Sequence, residues 1–142
     1  MPNAKLHLKR TFSASREKVF DAWVNPEKLK QWFHVADDWK THLYDTEIKQ
    51  GAKYRIGMEE PDKDPHVVIG EYHEIDPPNK LVFTWAWEIN PTEETLVTLL
   101  FHDKDGQTEM ELIHERFATE ETAEHHSKGW NGCLAQLEHA LI

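Results

Sequence analysis

Apolar residues recur at steps of three and four along residues 119–142, the longest such run in the chain. Ala123, Trp130, Cys133, Leu134, Leu137 and Leu141 form one stripe, and Glu120, Glu124, Lys128, Asn131 and Glu138 fall mostly between them. The spacing predicts an amphipathic helix of about six turns or more, roughly 35 Å long at the standard rise. Thr119 is placed to cap it, and Glu120 and Glu121 put negative charge where the helix dipole favours it. Most of the preceding chain alternates with period two, the signature of strands. Residues 5–11 set Leu6 and Leu8 against His7 and Lys9. Two short helices follow: 15–24, with Val19, Phe20 and Trp23 inward, and 26–34, started by Asn25-Pro26 and carrying Leu29, Trp32 and Phe33. Strands are then expected at 39–49, Lys53–Glu59, 66–75, 80–89, 95–102 and Gln107–Phe117. The first of these is weak. Within 80–89, Leu81, Phe83, Trp85 and Trp87 share one face.

The breaks between strands are Gln50-Gly51, the charged loop 60–65, Asp76-Pro77-Pro78-Asn79 and Asp103-Lys104-Asp105-Gly106. These are turn formers, and most are short, so the strands should form an antiparallel meander. An α+β fold results: a curved antiparallel sheet of about six to seven strands, two short helices after the first strand, and the long C-terminal helix across the concave face. No repeat, low-complexity segment or linker divides the chain, so residues 1–142 are read as one helix-grip domain. Val97, Leu99 and Phe101, with Met110, Leu112 and His114, should then face Trp130, Cys133 and Leu137 of the helix. A cavity can open where the helix does not press fully onto the sheet.

The net charge of −10, from 26 acidic and 16 basic residues, changes the picture of partners. An acidic surface repels phosphate, which speaks against nucleic acid and anionic membrane faces. No apolar run is long enough for membrane insertion. One cysteine, Cys133, leaves no internal disulfide; with no secretory signal recognised, a cytoplasmic location is expected. Six tryptophans in 142 residues point to an aromatic core or an aromatic-lined cavity.

Three stretches resemble one family. They are Ala14-Ser15-Arg16-Glu17-Lys18-Val19-Phe20-Asp21-Ala22-Trp23 with Pro26 and Trp32-Phe33; Gly70-Glu71-Tyr72-His73-Glu74-Ile75-Asp76-Pro77-Pro78-Asn79-Lys80-Leu81-Val82-Phe83-Thr84-Trp85; and Leu112-Ile113-His114-Glu115-Arg116-Phe117 followed by His126-Ser127-Lys128-Gly129-Trp130 and Leu134. In this order they are similar to the bacterial homologues of the activator of heat-shock-protein-ninety ATPase, named after its C-terminal domain. That family lies in the START-like (SRPBCC) superfamily of the birch-pollen allergen. The resemblance covers nearly the whole chain and implies a helix-grip fold with an internal cavity. The superfamily spans lipid carriers, hormone receptors, polyketide cyclases and co-chaperone domains, and fold does not transfer chemistry. The large N-terminal domain that accompanies the eukaryotic co-chaperone has no counterpart in this sequence.

The candidate ligand-binding residues are Tyr54, Met58, Phe83, Trp85, Trp87, His114, His126 and Trp130. The aromatics supply apolar area around a small hydrophobic or aromatic molecule, or else they form a filled core. His114 shares a strand face with Met110 and Leu112, and His126 a helix face with Trp130. They are read either as a facing acid–base pair near neutral pH or as hydrogen-bonded structural histidines. No catalytic residue is assigned. A metal site from Glu124, His114, His125 and His126 is not expected, because adjacent helical histidines point about 100° apart and no tight ligand spacing occurs. No cofactor is expected, since P-loop, dinucleotide and serine-hydrolase fingerprints are absent. Cys133 reads as a structural thiol. Gly129 and Gly132 inside the long helix each cost about 1 kcal/mol relative to Ala, which suggests a close approach, a kink or room for a ligand, or simple tolerance. The leading expectation is a binding protein for a small hydrophobic molecule. The alternatives are a stress-related co-chaperone or protein-interaction module working through the acidic surface, and an enzyme acting on the bound molecule.

Overall fold

The computed structural model describes residues 3–44 and 46–141. Ten elements follow in the expected order: β1 (Ala4–Phe12), α1 (Arg16–Val24), α2 (Pro26–Trp32), β2 (Lys40–Tyr44), β3 (Lys53–Glu59), β4 (His66–Asp76), β5 (Lys80–Trp87), β6 (Thr95–Lys104), β7 (Gln107–Phe117) and α3 (Glu120–Ala140). The strands form one antiparallel sheet in the order β1-β7-β6-β5-β4-β3-β2. Strands β2 to β7 are a meander, and β1 closes the far edge by pairing with the last strand, Leu8 opposite Leu112. This is the expected α+β helix-grip arrangement.

Local chemistry explains the element ends. The Ser15 hydroxyl accepts from the Lys18 N–H, and the Asn25 side chain accepts from the Glu27 N–H with Pro26 in the first helical position. Thr119 accepts from the Thr122 N–H at the start of α3. The expected end of this helix at Ile142 falls outside the described residues.

One strand is much shorter than its pattern suggests. Residues 39–49 form a ladder only over Lys40–Tyr44; Asp45 lies outside the described residues. The Thr46 hydroxyl accepts from the Arg55 N–H at 3.0 Å, so a side chain takes the place of a ladder bond and pairing stops. β5 likewise ends at Trp87, two residues before the predicted end.

Alternation is cleanest in β6 and β7, whose inward residues Val97, Leu99, Phe101, Met110, Leu112 and His114 are all buried. At the end of β7 the alternation breaks. Ala4 pairs with Phe117 but Leu6 with His114, so β7 carries one extra residue there. This bulge turns both His114 and Phe117 into the core, with ring centroids 4.3 Å apart, and leaves Arg116 at φ 75°.

Helix α3 packs on β1, β7 and α2. Leu134 and Leu137 are almost completely buried there. Close approach on the α2 side depends on Gly132: a Cβ at that position would lie 2.6 Å from the Val35 carbonyl oxygen. Helices α1 and α2 fill the space beside it, with Trp23 and Trp32 edge to face at 4.6 Å and the Trp32 indole donating to the Ala22 carbonyl at 2.8 Å. The sheet's β3–β5 half lies beyond the part of α3 that presses down.

Candidate functional site

Between α3, the segment after α2 and strands β3 to β5 lies a pocket of about 270 Å³. Met58 of β3 and Trp85 and Trp87 of β5 come from the sheet; His126, Gly129, Trp130 and Cys133 come from the helix; Val35 and Trp39 close a third side. The sheet contributes alternate residues of β5 because side chains two apart share a face. The helix contributes residues at steps of three and four for the corresponding reason. Gly129 supplies room: a Cβ there would meet nothing within 4 Å. The two helical glycines thus have separate roles, one for contact and one for space.

Trp85 and Trp130 meet at 5.0 Å between ring centroids and continue into Phe33 and Trp23, so the floor of the pocket is the aromatic core itself. At the rim His66 stacks on Trp39, with centroids 5.7 Å apart and planes 21° apart, and pairs with Glu60 at 3.6 Å. His125 is exposed on the opposite lip. Among the described residues no Lys, Arg, Asp or Glu lines this pocket.

The two histidines singled out in the sequence do approach each other, with ring centroids 5.4 Å apart, but each is already engaged. The Trp130 indole donates to His114 Nδ1 at 3.0 Å, so that nitrogen carries no proton. His114 Nε2 must then donate to the Thr95 hydroxyl at 2.7 Å, which donates onward to the Trp85 carbonyl at 2.9 Å. The chain of bonds is fully satisfied and ties β5, β6, β7 and α3 together. Burial, helped by nearby His126, pushes the His114 pKa down to about 2. His126 is the opposite tautomer. Its Nδ1 donates to the Thr122 carbonyl at 2.9 Å and its Nε2 accepts from the Trp87 indole at 3.1 Å. Burial lowers its pKa, and His125 adds to this against the opposing Thr122 bond.

Five of the eight residues expected from the sequence line the pocket: Met58, Trp85, Trp87, His126 and Trp130. Three do not. His114 is completely buried behind the wall. Tyr54 and Phe83 belong to packed core further along the sheet, where the residual void is about 10 Å³. The Tyr54 hydroxyl donates to the Thr84 carbonyl there. The shared face of β5 could not separate these cases, because Phe83 lies under Trp23 of α1 while Trp87 lies beyond it. Val35, Trp39 and His66 were missed. They come from a loop and a strand end, where no periodicity points inward. Cys133 does border the pocket, but burial pushes its thiol up to about 12, so no reactive thiolate faces the space. Among the described residues no three His, Cys, Asp or Glu groups are placed to hold a metal ion, and no helix is long and apolar enough to cross a membrane.

A second pocket, of about 430 Å³, lies on the other side of the Trp87–His126 hydrogen bond. Trp85, Trp87 and His126 border both. Its remaining walls are the β5–β6 loop, with Asn90, Thr92, Glu93 and Glu94, and the β7–α3 junction, with Arg116, Phe117, Thr119 and Thr122.

Comparison with solved structures places the same architecture in bacterial proteins. One from Chromobacterium violaceum superposes with a TM-score of 0.87 at 19% identity, covering 96% of each chain. One from Staphylococcus epidermidis superposes with a TM-score of 0.80 at 29% identity, covering 99% of this chain and 91% of the other. By sequence, the chain is 26% identical over 111 residues to the human "Activator of 90 kDa heat shock protein ATPase homolog 1". That match takes in 78% of this chain but only 29% of the human protein, so the chain spans less than a third of the length of that relative. Residues 13–141 match the family described as "Activator of Hsp90 ATPase homolog 1-like protein", and the chain belongs to that family.

Proposed function

We propose that the protein binds a small apolar or aromatic molecule in the pocket between α3 and strands β3 to β5, with Met58, Trp85, Trp87, His126 and Trp130 as contact residues. The observation that carries this reading is the pocket itself: about 270 Å³ with aromatic walls and, among the described residues, no Lys, Arg, Asp or Glu on its lining. That volume approaches the lower end of small-molecule sites, about 300–1,000 Å³, and aromatic walls with few polar groups are typical of them. Gly129 supports it, since a residue that costs helix stability stands on the pocket lining where it leaves space. A thermal-shift screen of flat aromatic and alicyclic compounds should raise Tm for a subset, because a ligand that binds only the folded state stabilises it by mass action. Gly129→Phe, which puts a ring into that space, should abolish the shift. A screen in which nothing raises the Tm of the unmodified protein overturns the reading. No catalytic residue is proposed, because both nitrogens of His114 and of His126 are already hydrogen-bonded.

A second reading, a co-chaperone-like module, is favoured by the human relative and by one surface feature. Ile89 is 96% exposed at the tip of the β5–β6 loop, flanked by Glu88, Glu93 and Glu94. On this reading the protein contacts a ninety-kilodalton heat-shock protein through that loop. Adding it should alter the ATPase rate of such a chaperone, and Ile89→Asp should remove the effect. An unchanged rate counts against the module.

A further inference from the structure

Arg116 is held in a conformation that arginine does not favour. Its φ of 75° lies in the left-handed region, at the bulge that turns Phe117 inward. For a residue with a Cβ this costs about 1–2 kcal/mol, and glycine would sit there without strain. Its backbone N–H is fixed by the Asn3 side chain at 2.9 Å. The guanidinium has no partner among the described residues, whereas Arg10 reaches Glu138, Arg16 reaches Asn79 and Arg55 reaches Glu88. Arg116 instead lines the second pocket, one wall away from the apolar one. A strained backbone carrying an uncommitted cation beside a cavity is where retained strain points to a role.

The two pockets differ in character. The first offers apolar and imidazole surface; the second adds hydroxyls, an amide and this guanidinium. They are separated by the contact of Trp87 with His126, a single hydrogen bond of 3.1 Å between a strand and a helix. Alone, the first is small for a ligand site; joined, the two fall within the usual range.

Resting on the reading given under Proposed function, we infer that the natural ligand is an elongated amphipath with one acidic group, its apolar body in the first pocket and its acid on Arg116 in the second, passing where Trp87 meets His126. A carboxylate matches the planar, bidentate donor fork of arginine. Glu93 and Glu94 border the second pocket and oppose an anion. Glu93, Glu94 and Arg116 are all exposed, so charges held apart here are screened over about 10 Å of salt solution, and a carboxylate in direct contact with the guanidinium feels the arginine most.

The test uses three fluorescent probes with the full chain: cis-parinaric acid, its methyl ester, and the compact uncharged N-phenyl-1-naphthylamine. The acid should bind at least about tenfold more tightly than the ester. That ratio should collapse toward one in Arg116→Gly and be only partly retained in Arg116→Lys, which keeps the charge but loses the fork. Arg116→Gly should fold with equal or higher Tm, because glycine relieves the φ of 75°. Saturation with the acid should also shift the Trp87 indole N–H resonance, assigned by its loss in Trp87→Phe. A ratio near one in the unmodified protein, a ratio that survives Arg116→Gly, or an unmoved indole resonance overturns the inference. If N-phenyl-1-naphthylamine still binds in those cases, the first pocket stands and only the acidic-ligand assignment falls. If no probe binds, both fall.

Discussion

The two halves of α3 meet different surroundings. From Cys133 onward the helix is pressed into β1, β7 and α2, and Leu134 and Leu137 are almost sealed from solvent. Before Cys133 it reaches the sheet mainly through Trp130 and His126, each by a hydrogen bond to an aromatic or imidazole partner, and a pocket lies beside it. The same period of three and four produces both halves. What differs is the partner: branched aliphatic residues of two strands on one side, large flat rings and a loop on the other. Flat rings with fixed hydrogen bonds span a gap that aliphatic side chains would collapse into, so one helix both closes a core and roofs a cavity.

The largest expected effect separates the halves directly. Leu137→Ala should cost about 2–5 kcal/mol in chemical denaturation, as for other fully buried leucines, while leaving the pocket residues in place. A cost below about 1 kcal/mol would mean that this half is not clamped as described.

Acid should act through the other half. The folded pKa of His114 is far below the unfolded value of about 6.5, so the unfolded chain takes up its proton first. The stability held at this site is therefore fully present above about pH 6.5 and is lost as pH falls from there toward about 2, at about 1.4 kcal/mol per pH unit. His126 shifts in the same direction. Denaturation at pH 7 and pH 5 should differ by about 2 kcal/mol from His114 alone. His114→Gln should be less stable at pH 7 yet show a flatter dependence between the two; an equally steep slope would remove His114 as the cause.

The two glycines sharpen the contrast on a smaller scale. Gly132→Ala should destabilise by about 1–3 kcal/mol although alanine is the better helix former, because the methyl group would meet the Val35 carbonyl oxygen at 2.6 Å. Gly129→Ala should do the reverse, stabilising by up to about 1 kcal/mol, since its Cβ meets nothing within 4 Å. Thermal melts of the pair, three residues apart on one helix, read the two environments with the same chemical change. Equal effects would erase the distinction between close approach and open space.

Much of the candidate pocket's lining was visible in the pattern of residues. Trp85, Trp87, Trp130 and His126 were placed on the right faces because the period of a strand or helix assigns a face without reference to the rest of the fold. Tyr54 and Phe83 share those faces but lie where α1 and α2 fill the space, and nothing in their own segments records that. His66 and Trp39 were invisible because loop and strand-end residues have no period. The bulge at Arg116 was invisible for a related reason. One inserted residue reverses which side chains point inward, and the sequence there, Glu115-Arg116-Phe117, contains no glycine to announce a left-handed position.

The sequence by itself determined the order of elements, the antiparallel meander, the caps at Asn25 and Thr119, and the long amphipathic helix, because each depends on neighbours within a few residues. Only the tertiary structure decided that His114 is a sealed neutral link, that Gly129 opens space while Gly132 closes it, and that two pockets meet at Trp87 and His126. Those outcomes depend on which surfaces distant segments bring together and on how completely they fill the space between them. That is a property of packing, and no local pattern encodes it.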